Sequence, residues 1–214
     1  MWKNSQYEGS TRIPLFIAGP GMRSNVVVQN MTQIIDTLPT LIEMGTGEQD
    51  SIPSWLDGYS LVPFLYDSSN DTRTRPDYVT AQYHSNMANT GSFMIRQGPW
   101  KYIKFGQYLS TYENYEPMLF NVEADPWEVN DVSALYPNVS SSLDKLLLSQ
   151  IPAYSVDCKA KQNDLYVFNH FFWNVYNAST LYGMFQNTYK GFNQSDWQKV
   201  LQWRQELSNG PPCS

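Results

Sequence analysis

Few side chains in this sequence are able to carry chemistry. The 214 residues hold two histidines, His84 and His170, and two cysteines, Cys158 and Cys213. No Cys-x-x-Cys pair offers a metal or redox site. No Gly-x-Ser-x-Gly turn presents a serine nucleophile, and no Gly-x-x-x-x-Gly-Lys loop cradles phosphate. Gly19-Pro20-Gly21 is turn chemistry, because Pro20 lacks the N–H that an anion cradle needs. His170 stands in an aromatic stretch, where packing is the simpler role. The cysteines are either two buried thiols or one disulfide tying down the C-terminus, which requires an oxidising compartment. Five Asn-x-Ser/Thr sequons, at Asn30, Asn70, Asn138, Asn177 and Asn193, favour the secretory pathway. The start, Met1-Trp2-Lys3-Asn4-Ser5, has no basic n-region or apolar core of a signal peptide. Either the protein is not secreted, or its true beginning lies upstream.

The elements that must position these residues follow from composition and periodicity. Hydrophobic residues make up 42% and aromatics 15%, enough for a sizeable core and too many for a disordered chain. The net charge of −6, with no Lys/Arg block, excludes a nucleic-acid footprint, which needs a basic stripe. The longest apolar run, Ile13 to Ala18, is far short of the roughly 20 residues that span a bilayer. That run and Val26-Val27-Val28 predict two short strands of a parallel sheet. Thr32 is the expected cap of a helix carrying Ile34, Ile35, Leu38, Leu41 and Ile42, with a kink before Pro39 and a stop at Gly45. Tyr78–Tyr83, Gly91–Arg96, Trp100–Phe105 and Met118–Val122 predict a small antiparallel sheet. Trp100-Lys101-Tyr102-Ile103-Lys104-Phe105 alternates, which predicts one buried face and one wet face. A helix with Leu143, Leu146, Leu147 and Ile151 on one face, capped by Ser142, ends at Pro152. A last helix opens with a Ser195/Gln198 capping box.

The order of several motifs carries a resemblance. Lys3-x3-Tyr7-Glu8-Gly9-Ser10-x-Arg12-Ile13-Pro14-Leu15, Asp36-Thr37-Leu38-Pro39-Thr40-Leu41 and Gly58-Tyr59-Ser60-Leu61 resemble the second half of a type I sulfatase. Met94-Ile95-Arg96-x-Gly98-Pro99-Trp100-Lys101-Tyr102-Ile103, Leu119-Phe120-Asn121 and Asp125-Pro126-x-Glu128-x-Asn130 resemble that family's C-terminal subdomain. Gln82-Tyr83-His84 and Asp196-Trp197-Gln198-Lys199 resemble a lysosomal branch acting on 2-sulfated glucuronate.

The resemblance implies an α/β fold: the C-terminal part of an alkaline-phosphatase-like mixed sheet with flanking helices, a small antiparallel-sheet subdomain and a helical extension. Residues 1–66 would end the catalytic domain, 67–151 form the subdomain and 152–214 the extension. It implies a sulfuric ester hydrolase of glycosaminoglycan degradation, lysosomal or secreted, acting on a sulfated carbohydrate or aryl sulfate. Such enzymes use a formylglycine made from Cys or Ser in a Cys/Ser-x-Pro-x-Arg motif, beside a bound Ca²⁺. Neither that motif nor the early metal-ligating residues occur in these 214 residues, so the chain alone is expected to be inactive and to hold no metal. By the resemblance Lys3 contacts a sulfate oxygen and His84 lies on the substrate side. Arg12 is expected to pair with a carboxylate such as Glu8. Asp36, Asp125, Glu128 and Asn130 are expected to be structural acceptors. The alternatives are a non-catalytic secreted module that binds carbohydrate or packs on a partner, or a phosphodiesterase or phosphatase of the same superfamily.

Overall fold

The computed structural model describes residues 5–66, 73–84, 90–106, 115–210 and 213. In chain order it contains α1 (Glu8–Thr11), α2 (Thr37–Thr46), α3 (Val62–Leu65), β1 (Tyr78–Tyr83), β2 (Ser92–Gln97), β3 (Trp100–Phe105), β4 (Met118–Asn121), α4 (Pro137–Gln150), α5 (Ala153–Phe168), α6 (Ala178–Thr188) and α7 (Gln194–Asn209). Two compact units emerge. One comprises residues 1–11, 80–95 and 100–214, the other residues 12–79 and 96–99.

The first unit is organised by a four-stranded sheet in the order β1-β2-β3-β4. Gly98 and Pro99 alone join β2 to β3, a connection short enough only for antiparallel neighbours. β3 and β4 are antiparallel, with Tyr102 opposite Leu119. On one face Met94, Ile103, Phe120 and Val122 form a core that Tyr7 joins edge-on to Phe120. On the other, α4 covers β3. Its Asp144 accepts the Tyr102 hydroxyl at 2.9 Å and meets the Lys104 ammonium at 2.7 Å. Burial, reinforced by that carboxylate, drives the Tyr102 hydroxyl pKa well above its ordinary value.

The expected wet face of β3 does not exist. Lys101 is 0% exposed because residues 5–11 lie over it. Alternation along one strand shows which residues share a face, but not what returns from elsewhere to cover it.

The C-terminal helices interleave their aromatics. Phe168 meets Phe172, Trp173 and Trp203, while Trp197 meets Trp173, Tyr182 and Phe185. The Arg204 guanidinium lies 4.3 Å from the Trp173 ring centre, a cation–π contact, and donates to Asn169. A single π-helical turn, Asn169–Trp173, ends α5. Cys158 and Cys213 form a disulfide, with Cα atoms 5.6 Å apart, inside a cluster with Leu165 and Leu207. The capping expectations shift by a few residues. Asn193, not Ser195, caps α7, in a capping box with Asp196. Pro137 starts α4 five residues before Ser142.

The second unit is held by Asp36, which is buried. Its carboxylate accepts from the backbone N–H of Gln33 and Tyr59 and pairs with Arg75 at 2.7 Å. Arg75 also donates to the Tyr59 and Ser60 carbonyls. Thr40 accepts the Leu61 N–H at 2.8 Å. The Gly58-Tyr59-Ser60-Leu61 motif is thus bonded to the start of α2. Gly58 is required there, because a Cβ would collide with the Ile35 carbonyl. Pro39 falls in the first turn of α2, where its missing N–H costs nothing, so the kink becomes a 3₁₀ turn, Ile34–Asp36, leading into the helix. The helix stops at left-handed Gly47 rather than Gly45. Neither Ile13–Ala18 nor Val26–Val28 is a strand. Both lie outside any regular element and are largely exposed, Phe16 at 91% and Val27 at 79%; no described strand pairs with them. Among the described residues, no helix is long and apolar enough to cross a membrane.

Candidate functional site

Two polar constellations in the first unit bear on the expected site residues. The first surrounds Lys101. Its ammonium meets Glu8 Oε1 at 2.6 Å and Glu128 Oε1 at 2.9 Å, the latter a charge contact outside hydrogen-bond alignment. It donates to the Gln6 carbonyl at 3.1 Å and to the Thr11 hydroxyl at 3.2 Å. Glu128 in turn accepts the Glu8 N–H at 2.5 Å. Gln6 donates to the Ser92 carbonyl and hydroxyl. The Tyr7-Glu8-Gly9-Ser10 motif is therefore pinned to the sheet by one buried cation with two carboxylates. Burial first, then Glu128 and Asp131, raises the Tyr7 hydroxyl pKa. Glu8 thus pairs with Lys101 in place of the expected Arg12. Glu128 is not a turn acceptor but a buried counter-ion, held at positive φ. Asp125 does cap the turn, accepting from the N–H groups of Val129 and Asn130. Those bonds, Asn130's first, hold its carboxyl below the usual range. Lys3 itself lies outside the described residues; the pinned segment, Gln6 to Thr11, begins three residues after it.

The second constellation surrounds His84, which directly follows β1. Its ring stands edge-on to Phe93, centres 5.2 Å apart. Both ring nitrogens are buried and find no hydrogen-bond partner among the described residues. Gly91 lies against the ring: a Cβ there would come within 2.5 Å of His84 Cε1. Beside Gly91 stands Asp157 of α5, whose Oδ1 accepts the Gly91 N–H at 2.6 Å and whose Oδ2 accepts the Thr90 hydroxyl at 3.3 Å. Asp157 and Lys161 are both buried, and Lys161 faces Asp164 at 3.7 Å. Sequence reading missed these two. The signal was present: Ala153, Asp157, Lys161 and Leu165 recur every four residues, a charged pair inside an otherwise apolar stripe.

Burial lowers the pKa of His84. Asp157 and Asp164 oppose that shift and Lys161 adds to it. The imidazole therefore stays neutral to a lower pH than a free one, whose midpoint is about 6.5. The unfolded chain takes up this proton first, so acidification below about pH 6.5 removes stability until the folded midpoint is passed. In an NMR titration, the His84 Cε1–H midpoint is expected below that of free imidazole; one above it would contradict the assignment.

Of the sequons, Asn30, Asn138, Asn177 and Asn193 are exposed, and Asn70 lies outside the described residues. Asn177 caps α6, accepting the Thr180 N–H at 2.9 Å. His170 is exposed and stacks on Tyr166. Among the described residues, no three His, Cys, Asp or Glu side chains converge as a metal ion would require.

The model of the family described as N-sulphoglucosamine sulphohydrolase, C-terminal, matches residues 2–153. Arylsulfatase K of Gallus gallus is 34% identical over 152 residues, covering 69% of this chain and 27% of that one. Among solved structures, a Bacteroides thetaiotaomicron protein assigned as a sulfatase superposes with a TM-score of 0.60 at 25% identity, over 73% of this chain and 33% of its own. A 2-O GAG sulfatase superposes with a TM-score of 0.54 at 25% identity, over 67% and 30%. The chain thus spans about a third or less of the relatives it matches. With the motifs of residues 6–11, 36–61 and 94–130 occupying structured positions inside the matched segment, the chain belongs to the type I sulfatase family, in the part that the N-sulphoglucosamine sulphohydrolase C-terminal model describes.

Proposed function

We propose that the chain is the C-terminal part of a sulfuric ester hydrolase acting on a sulfated glycan of the glucuronate 2-sulfate type, in a lysosomal or secretory compartment. The family match over residues 2–153 carries this reading, because it is continuous and includes both Lys3 and His84. Two further observations support the substrate class. The relative cited above is an arylsulfatase K, and one structural neighbour is a sulfatase of 2-O groups.

In this reading each residue has a physical task. The Lys3 ammonium, a compact point charge, contacts a sulfate oxygen. Lys101 acts through it as a positioning residue, since it locks Gln6 to Thr11 onto the sheet. The His84 ring stands on the substrate side, where burial disfavours its charged form. Calcium is the cation the family implies. The described residues do not fit as its ligands, since no three His, Cys, Asp or Glu side chains among them converge. The sequons and the disulfide suit a secretory route.

Two measurements test this. The purified chain should show no hydrolysis of a chromogenic aryl sulfate, because it contains no Cys/Ser-x-Pro-x-Arg; turnover would overturn the assignment of the nucleophile to another segment. Transcripts should read upstream of Met1 in frame into a Cys-x-Pro-x-Arg motif. A start at Met1 without such an exon would end the enzyme reading for this gene.

A further inference from the structure

We propose that Asp157 is a positioning residue for His84, so that α5, which lies beyond the family-matched residues 2–153 save for its first residue, Ala153, sets the place of the substrate-side histidine. This rests on the role given to His84 above. The geometry is a chain of contacts: the Phe93 ring edge-on to His84, Gly91 against the His84 ring, and the Asp157 carboxylate bonded to the Gly91 N–H.

Two glycines make that chain of contacts possible. A Cβ on Gly91 would press on His84 Cε1 and Nδ1 and stand 3.0 Å from Asp157 Oδ1. A Cβ on Gly106 would collide with Asp157 Cβ itself. Gly106 donates to the Gly91 carbonyl at 3.0 Å, so both glycines lie at the open end of the β2–β3 hairpin, away from its Gly98-Pro99 turn. Asp157 enters at that end and satisfies the Gly91 N–H, which the sheet leaves over. Cys158, the next residue, is bonded to Cys213, and this ties the same turn of α5 to the chain's end. Among the described residues, the charged groups that act on His84 come from α5: Asp157, Lys161 and Asp164. Asp157 favours the protonated ring, so its removal lowers the midpoint.

The test uses the whole chain with isotope-labelled histidine. Asp157→Asn keeps an oxygen for the Gly91 N–H but removes the charge. The His84–Phe93 ring NOE should persist while the His84 midpoint moves to lower pH. Asp157→Ala removes both, and the NOE should be lost. Gly91→Ala should displace the ring by contact and lose the same NOE. An unchanged midpoint in Asp157→Asn overturns the proposal, whether or not Asp157→Ala folds. An NOE intact in a folded Asp157→Ala also overturns it. A separate arm adds glucuronate 2-sulfate, with unsulfated glucuronate as control. If only the sulfated sugar shifts the His84 resonances, the substrate-side role stands. If neither does while the Asp157 variants behave as stated, the coupling is confirmed and the substrate role of His84 falls.

Discussion

Lys101→Met should lower the unfolding free energy of the chain by about 3–5 kcal/mol, the usual cost of breaking a buried ion pair from one side. The substitution is close in volume, so little of the loss comes from a cavity. It leaves two carboxylates, Glu8 and Glu128, near one another and without the ammonium that met both within 3 Å. It also leaves the Gln6 carbonyl and Thr11 hydroxyl without their donor. Urea unfolding followed by tryptophan fluorescence measures it, with the slope checked against the parent. The triple variant Lys101→Met, Glu8→Gln, Glu128→Gln should recover much of the loss, because the penalty belongs to the orphaned charges. A single variant within about 1 kcal/mol of the parent would mean that the cluster is hydrated and contributes as a surface pair does.

Removing the disulfide should have an effect of similar size. Cys158 and Cys213 are 55 residues apart, and for a closed loop of that length the chain-entropy model gives about 4 kcal/mol. Cys213→Ser, or reduction of the parent, should lower the urea midpoint accordingly, and intact mass should rise by two hydrogens on reduction. The loss should be steepest for α5 and α7, which the bridge and the Leu165–Leu207 contact join. Hydrogen exchange would show protection falling first in Ala153–Phe168 and Gln194–Asn209. No mass change, or an unmoved midpoint, would remove the bridge from the account.

The sheet was legible in the sequence because its signal is local. Tyr78–Tyr83, Trp100–Phe105 and Met118–Asn121 are short runs rich in aromatic and aliphatic residues, and Gly98-Pro99 is turn chemistry. What covers the sheet is not local. Nothing in Trp100–Phe105 tells that Gln6 to Thr11, some 90 positions away, will roof Lys101 and turn a wet face into a dry one. Ile13–Ala18 shows the opposite failure. Its composition suits a strand buried on two faces, yet a strand forms only where a neighbour takes its N–H and C=O groups. The motif residues of the candidate site were found by order and spacing. Asp157 and Lys161 were overlooked because a charged pair on a helix ordinarily faces water.

The asparagine caps have a consequence for handling the protein. Asn177 and Asn193 both use the side-chain oxygen to hold the first turn of a helix, while a glycan would attach at the nitrogen. Capping and sugar therefore do not compete for one atom. An amidase that strips the sugar converts the asparagine to aspartate. At these two positions that places a carboxylate on the positive end of a helix, where a negative charge is favourable. A melting comparison before and after such treatment would thus mix the loss of the glycan with an improved cap. Asn177→Gln and Asn193→Gln would mix it with a ruined one. The clean control is expression without the oligosaccharide transfer step, which leaves both asparagines as they are.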